Sequence, residues 1–147
     1  MSEGRRAKKS SAGTRRNYSD RTLKLLWGRA AGRCAMPACR MEVFADATDY
    51  DPVVVIGEMA HVAGASDIGP RADTSLGEKA RNDYENLILL CRNCHGRIDK
   101  QTQSNPIKHL LAMKKDHEAW VRAQLPERGR SRTGWRVVGL RGDHPVD

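Results

Sequence analysis

The sequence predicts an α+β domain of short strands and flanking helices, held together by a metal staple instead of an extensive core. Three observations predict it. Four cysteines occur as two close pairs, Cys34 with Cys39 and Cys91 with Cys94. Apolar residues make up only 39% of the 147 residues, with a single Phe, so hydrophobic burial alone gives one modest domain plus tails. Helical periodicity near both ends encloses β-branched and aliphatic runs in the middle.

Taken in order, residues 1–18 form a basic arm without periodicity, rich in Arg, Lys, Ser and Gly, for which disorder is expected. Ser19 is placed to cap a helix beginning near Asp20, with Leu23, Leu26, Trp27 and Ala30 as its apolar stripe and Gly32 as its stop. Cys34 to Cys39 reads as a turn containing Pro37, and 46–52 as a polar loop. Val53 to Ile56 is β-branched and should begin one strand that runs through Met59 towards Val62. Gly64 to Gly77 is a long loop, of a kind usually kept for a site. Leu87 to Leu90 is a short apolar run, Cys91 to Cys94 a knuckle, and a helix starts there and continues through His95 and Ile98. Asn105-Pro106 opens a last helix with Ile107, Leu110, Leu111, Lys114, His117 and Val121 at helical spacing, closed by Pro126. On this helix His109 and His117 read as surface or packing residues. The domain thus covers 19–125, and 126–147 is a basic tail in which Trp135 to Leu140 reads as a short strand or a docked segment.

The charge is uneven. Residues 1–33 carry ten Lys/Arg against two Asp/Glu, 34–125 eleven against thirteen, and 126–147 five against three. A near-neutral body with basic extensions suits attraction to nucleic-acid phosphates, although a solubilising tail has the same composition. No apolar run approaches the length of a membrane span, and the basic N-terminus lacks the hydrophobic stretch of a secretory signal. The expected location is therefore cytoplasmic, where paired cysteines bind metal more often than they form disulfides. Two short pairs deliver the four thiolates of a closed tetrahedral zinc site, which is structural. Their wide separation makes this ion the staple of a whole domain and not of a single zinc finger.

Beyond the staple, three residues occur in order: His61, Asn86 and His95. They stand in the blocks Gly57-Glu-Met-Ala-His61-Val, Gly69-Pro-Arg-Ala-Asp73 and Tyr84-Glu-Asn86-Leu-Ile-Leu-Leu-Cys91-Arg-Asn-Cys94-His95-Gly-Arg-Ile-Asp99. These blocks, with Leu26-Trp27-Gly28-Arg29 ahead of Cys34, resemble the HNH nuclease family over roughly 20–122. The likeness is to the zinc-containing branch found among effectors of bacterial anti-phage defence. The resemblance implies a bacterial or phage-encoded protein, two antiparallel strands and a helix around a metal, and endonucleolytic hydrolysis of double-stranded DNA. It implies His61 as the general base, His95 as a ligand of a catalytic divalent ion, and Asn86 as the residue that orients the loop or the base. His95 would face His61 across that ion, with Mg²⁺ expected and Mn²⁺, Ni²⁺ or Zn²⁺ as alternatives. The chemistry is sound on its own terms, since a neutral histidine with a pKa of ~6.5 can take a proton from water at neutral pH.

One position departs from the family. Many members place an acidic residue or histidine directly before the base as a second metal ligand, and here Ala60 stands there. Asp73, in the Gly-Pro-Arg-x-Asp segment, is the preferred substitute. Glu58 is the other, because strand alternation sets it on the Ala60 face. Arg71 and Arg97 are candidates for clamping phosphate oxygens. Expected partners are DNA, through its phosphates, with no membrane, and a homodimer or a separate regulatory protein. The competing functions are a non-catalytic, zinc-stapled nucleic-acid-binding module, which Ala60 and the basic arm favour, and a structural or protein-interaction domain.

Overall fold

A computed structural model describes residues 17–125. The expectations for the basic arm, apart from its last two residues, and for the C-terminal tail, including Trp135 to Leu140, fall outside them. Helix α1 (Asp20–Ala30) begins where Ser19 Oγ accepts the Thr22 N–H at 3.1 Å. It ends with Ala31 in the left-handed region, its amide turned back to the Gly28 carbonyl, and the Gly32 amide reaches Trp27 O. Gly32 is itself at φ +63°, and a Cβ there would lie 2.6 Å from the Phe44 ring, so only glycine fits.

Two small antiparallel sheets follow. Strands β1 (Phe44–Ala45) and β2 (Val54–Val55) form an exposed ribbon, with Phe44 opposite Val55. Strands β3 (Gly57–His61) and β4 (Leu87–Cys91) form the second sheet, pairing Gly57 with Cys91 and His61 with Leu87. The single strand expected from Val53 towards Val62 is therefore two. At the junction the Ile56 and Gly57 amides both donate to Val43 O, at 2.8 and 3.1 Å, which shifts the ladder by a residue and passes the chain from one sheet to the other. Gly57 permits this, because a Cβ would meet Val43 Cβ at 2.7 Å.

Between β3 and β4 lie the long loop, a single helical turn α2 (Glu78–Arg81) and a 3₁₀ turn at Tyr84–Asn86. Helix α3 (Arg92–Lys100) leaves β4 directly, and α4 (Ile107–Gln124) closes the domain. Strand β4 is the centre: Leu87, Ile88, Leu89 and Leu90 are each 1% exposed or less. Each such side chain contributes about 2 kcal/mol by leaving water, which makes this run the main apolar investment of a small core. Helix α4 docks on it through Lys114, whose Nζ donates to Leu87 O at 2.9 Å over the Tyr84 ring, beside Glu118. The α4 stripe is Leu110, Met113, Lys114, His117 and Val121, and Leu111 faces out. His117 is packing and His109 is surface. The α+β class with short strands, flanking helices and gathered cysteines is as the sequence predicts.

Candidate functional site

The four thiols meet at the root of β4. Cys34 and Cys39 come from the turn after α1, which is stitched to β4 by the Ala35 N–H to Leu89 O bond at 2.9 Å. Cys91 ends β4 and caps α3, its Sγ accepting the Cys94 N–H. All four Sγ atoms lie within 4.8 Å of one another, and Cys39 and Cys91 are 4.0 Å apart. Tetrahedral zinc with Zn–S of ≈2.3 Å needs sulfurs about 3.8 Å apart, so a small contraction of the cluster would hold the ion. Burial pushes the Cys34 thiol up to about 11 and raises Cys94 as well. Burial acts the same way on Cys91, but the Cys94 N–H and the neighbouring thiols outweigh it and lower the group. Free, clustered and mostly buried thiols match the chemistry of structural zinc, which ionises the sulfurs it binds.

The three residues singled out in the sequence sit on consecutive parts of the β3–β4–α3 unit. His61 is the last residue of β3, 7% exposed, with Nε2 3.0 Å from Asn82 Oδ1 and its ring beside Tyr18. Asn86 precedes β4 and clamps the backbone of Ala63 in both directions. Its Oδ1 accepts the Ala63 N–H at 2.8 Å, and its Nδ2 donates to Ala63 O at 2.9 Å and to Arg81 O at 3.0 Å. His95 lies in the first turns of α3 between two carboxylates. Nδ1 is 2.6 Å from Glu58 Oε2 and Nε2 is 3.1 Å from Asp99 Oδ2. The hydrogen bond to His95, helped by Arg92, holds the Glu58 carboxyl below its usual range.

The structure thus brings Glu58 and not Asp73 to His95. Asp73, the preferred substitute for the ligand missing at Ala60, spends its carboxylate on the amide and hydroxyl of Ser75 in its own turn. Glu58 lies on the same face of β3 as Ala60, and that side chain reaches α3. The phosphate clamp expected at Arg71 does not fit its placement either. Its guanidinium is 4% exposed and donates to His61 O, Val62 O, Ile98 O and the Asp99 carboxylate. Arg71 is a tie between the long loop, β3 and α3, with its own backbone at φ +53°. Arg97 is exposed on α3.

A cleft of ≈ 1120 Å³ opens here. Glu58 and His95 line it, as do Tyr18 and Asn82, both of which contact the His61 ring. Among known families, residues 68–101 match the model described as HNH endonuclease. No curated protein matches this chain. The segment that matches HNH endonucleases runs from the long loop to the end of α3 and contains Asn86, His95 and two of the clustered cysteines, and the match supports nuclease activity on nucleic acid. His61 and Glu58 precede that segment and are delivered to it by the β3–β4 pairing.

Two residues of the matched segment were not singled out in the sequence. Asp99 is four residues after His95, a spacing that stacks both on one helix face and was open to reading. Asn82 has no such signal, because it caps a single helical turn inside a stretch without periodicity.

Proposed function

We propose that this chain is a metal-dependent endonuclease that hydrolyses phosphodiester bonds of double-stranded DNA, with His61 as the general base. The observation that carries the reading is the placing of His95 between Glu58 and Asp99, with Glu58 and His95 lining the cleft that Tyr18 and Asn82, both in contact with His61, also line. An imidazole and a carboxylate are donors suited to Mg²⁺, Mn²⁺ or a later divalent metal. The two carboxylates stand at opposite ring nitrogens of His95, so His95 with Glu58 would hold that ion while Asp99 orients the ring from its other nitrogen, and the ion would supply Lewis-acid stabilisation of charge on the phosphoryl oxygens.

The remaining tasks fall to the chain. The His61 imidazole takes the proton of the attacking water, and its position at the end of a paired strand keeps it from swinging away. Asn86 fixes the backbone just beyond it by the paired bonds to Ala63. Arg71 holds the His61 carbonyl and the Asp99 carboxylate with one guanidinium, so that the base and the carboxylate that orients His95 keep their spacing. Arg97 is free to meet substrate phosphates, and the net charge of +8, concentrated in the first 33 residues, adds sequence-independent attraction.

The test is cleavage of supercoiled plasmid, single-stranded DNA and RNA across Mg²⁺, Mn²⁺, Ni²⁺ and Zn²⁺, with wild type and His61→Ala at equal zinc content. Metal-dependent cleavage of duplex DNA that the variant loses by about 10²-fold or more supports the reading. Undiminished cleavage by a demonstrably pure variant removes His61 from the role. Salt-sensitive DNA binding by wild type without cleavage under any metal favours the binding module that Ala60 suggests.

A further inference from the structure

We propose that the C-terminal tail of this chain docks through Trp135 to Leu140 on the exposed apolar face of the β1–β2 ribbon. Met41, Phe44, Val53, Val54, Val55 and Ile56 are all exposed there, Val53 and Val55 by 58%. Single apolar side chains are normal on a surface, but a gathered set marks a contact. The ribbon is also too small to stand by itself. Its strands have two residues each, paired as Phe44 with Val55 and Ala45 with Val54, and an isolated two-stranded ribbon is at best marginally stable in water. A further segment laid on it would bury these side chains and steady the pair.

Charge selects the occupant. Residues 41–56 hold four acidic residues, Glu42, Asp46, Asp49 and Asp51, and no Lys or Arg. All four are exposed, and among the described residues only Glu42 forms an ion pair, with Arg33 at 3.7 Å. Such a rim repels nucleic acid, and a second copy of the same face would set carboxylates against carboxylates. The tail is the complement. Residues 128–141 carry five Arg and no acidic residue, with Trp135, Val137, Val138 and Leu140 around Arg136. The N-terminal arm, 1–16, has the basic charge but no large apolar residue after Met1.

The tail also starts on the right side of the molecule. The second half of α4 lies against the turn that leads into β1: His117 Nε2 is 3.1 Å from Ala30 O, and the Arg40 guanidinium stands 4.2 Å over the Trp120 ring. From that turn the Cys34 amide reaches Met41 O, and the Phe44 ring packs beside Gly32. Nine residues, 126–134, separate Leu125 from Trp135. Such a tether can span roughly 30 Å, longer than α4 itself at about 27 Å, so the ribbon lies within reach. Docking there would steady β3 as well, because Val43 O accepts both the Ile56 and the Gly57 amides where the ribbon passes into β3.

The experiment uses the full-length chain and its tail variant Trp135→Ser/Val137→Ser/Val138→Ser. Hydrogen exchange of the 41–56 amides, read by mass spectrometry, is expected to be about tenfold or more faster in the variant. Arg136→Glu/Arg141→Glu should lose much of the same protection, because it turns attraction to the acidic rim into repulsion. Val137 replaced by the photo-crosslinker benzoylphenylalanine should link to peptides within 41–56. In a mixture of ¹⁵N-labelled and unlabelled chains, these links should join residues of one chain. Circular dichroism and zinc content establish that each variant folds, and where one does not, the crosslink decides the matter. Equal exchange in wild type and tail variant, or links from position 137 to another part of the surface, overturns the proposal. Links between labelled and unlabelled chains overturn it too, and assign the ribbon to a second copy.

Discussion

His117 is a histidine that the fold keeps neutral. It is 1% exposed, its Nε2 lies 3.1 Å from Ala30 O, and its Nδ1 is buried without a hydrogen-bond partner. Burial lowers its pKa, and Arg40 and Arg33 lower it further. The unfolded chain therefore binds a proton more readily than the folded one between the depressed folded pKa and the unfolded value of ~6.5, so stability rises with pH across that window. Thermal denaturation from pH 7 to 5 is expected to show Tm falling on acidification, and His117→Gln should flatten the slope. An identical slope in the variant removes His117 as the cause. At the site, Glu58→Gln should weaken binding of the divalent ion about 10–100-fold by calorimetry, whereas Asp73→Asn should leave it near wild type. The reverse order would return the ligand role to Asp73. Glu58 was legible because strand alternation is strict. The choice between it and Asp73 was not, because only tertiary contact shows that Ser75 occupies the Asp73 carboxylate.

Among the elements, the β3–β4–α3 unit was legible almost residue by residue. An aliphatic run ending at a cysteine pair has few alternatives to a buried strand followed by a capped helix. The switch at Ile56 and Gly57 was not legible, because a continuous β-branched run does not announce that its hydrogen-bond partner changes. Nor was α2, whose four residues carry no period, and with it the placing of Asn82 was hidden. Arg71 joins these elements. Replacing it by Ala leaves three carbonyls and the Asp99 carboxylate without their donor, and should cost about 2–4 kcal/mol in urea denaturation. Arg71→Lys should recover only part of this, since an ammonium cannot span the same fork of acceptors. A neutral Arg71→Ala would mean that the long loop holds itself in place.

For the molecule as a whole, a zinc held by the four cysteines would count for as much as the net stability of the domain. Structural zinc contributes roughly 10–16 kcal/mol of apparent binding energy in small zinc domains, against a net stability of about 5–15 kcal/mol for a typical domain. Stripping the ion with a strong chelator should therefore unfold the protein and not merely soften it. Native mass spectrometry should count one tightly held zinc per chain, and Cys39→Ser should lower Tm sharply. A chelated protein with an unchanged far-UV spectrum and melting point would show that the aliphatic centre at β4 suffices alone. Among the described residues no helix is long and apolar enough to cross a membrane, and the exposed side chains of Val54 and Val55 belong to the β1–β2 ribbon, with exposed Val53 directly before it.

Cys94 and His95 are consecutive residues in the first turns of α3, one facing the sulfur cluster and the other flanked by Glu58 and Asp99. One peptide bond thus joins the sulfur cluster to the site where chemistry is proposed. The radius of an ion held by those sulfurs would then be a tuning parameter of the proposed reaction. A larger thiophilic metal such as cadmium, loaded into the cysteines, would fold the chain yet carry His95 outward with the helix start, changing turnover without touching a single side chain.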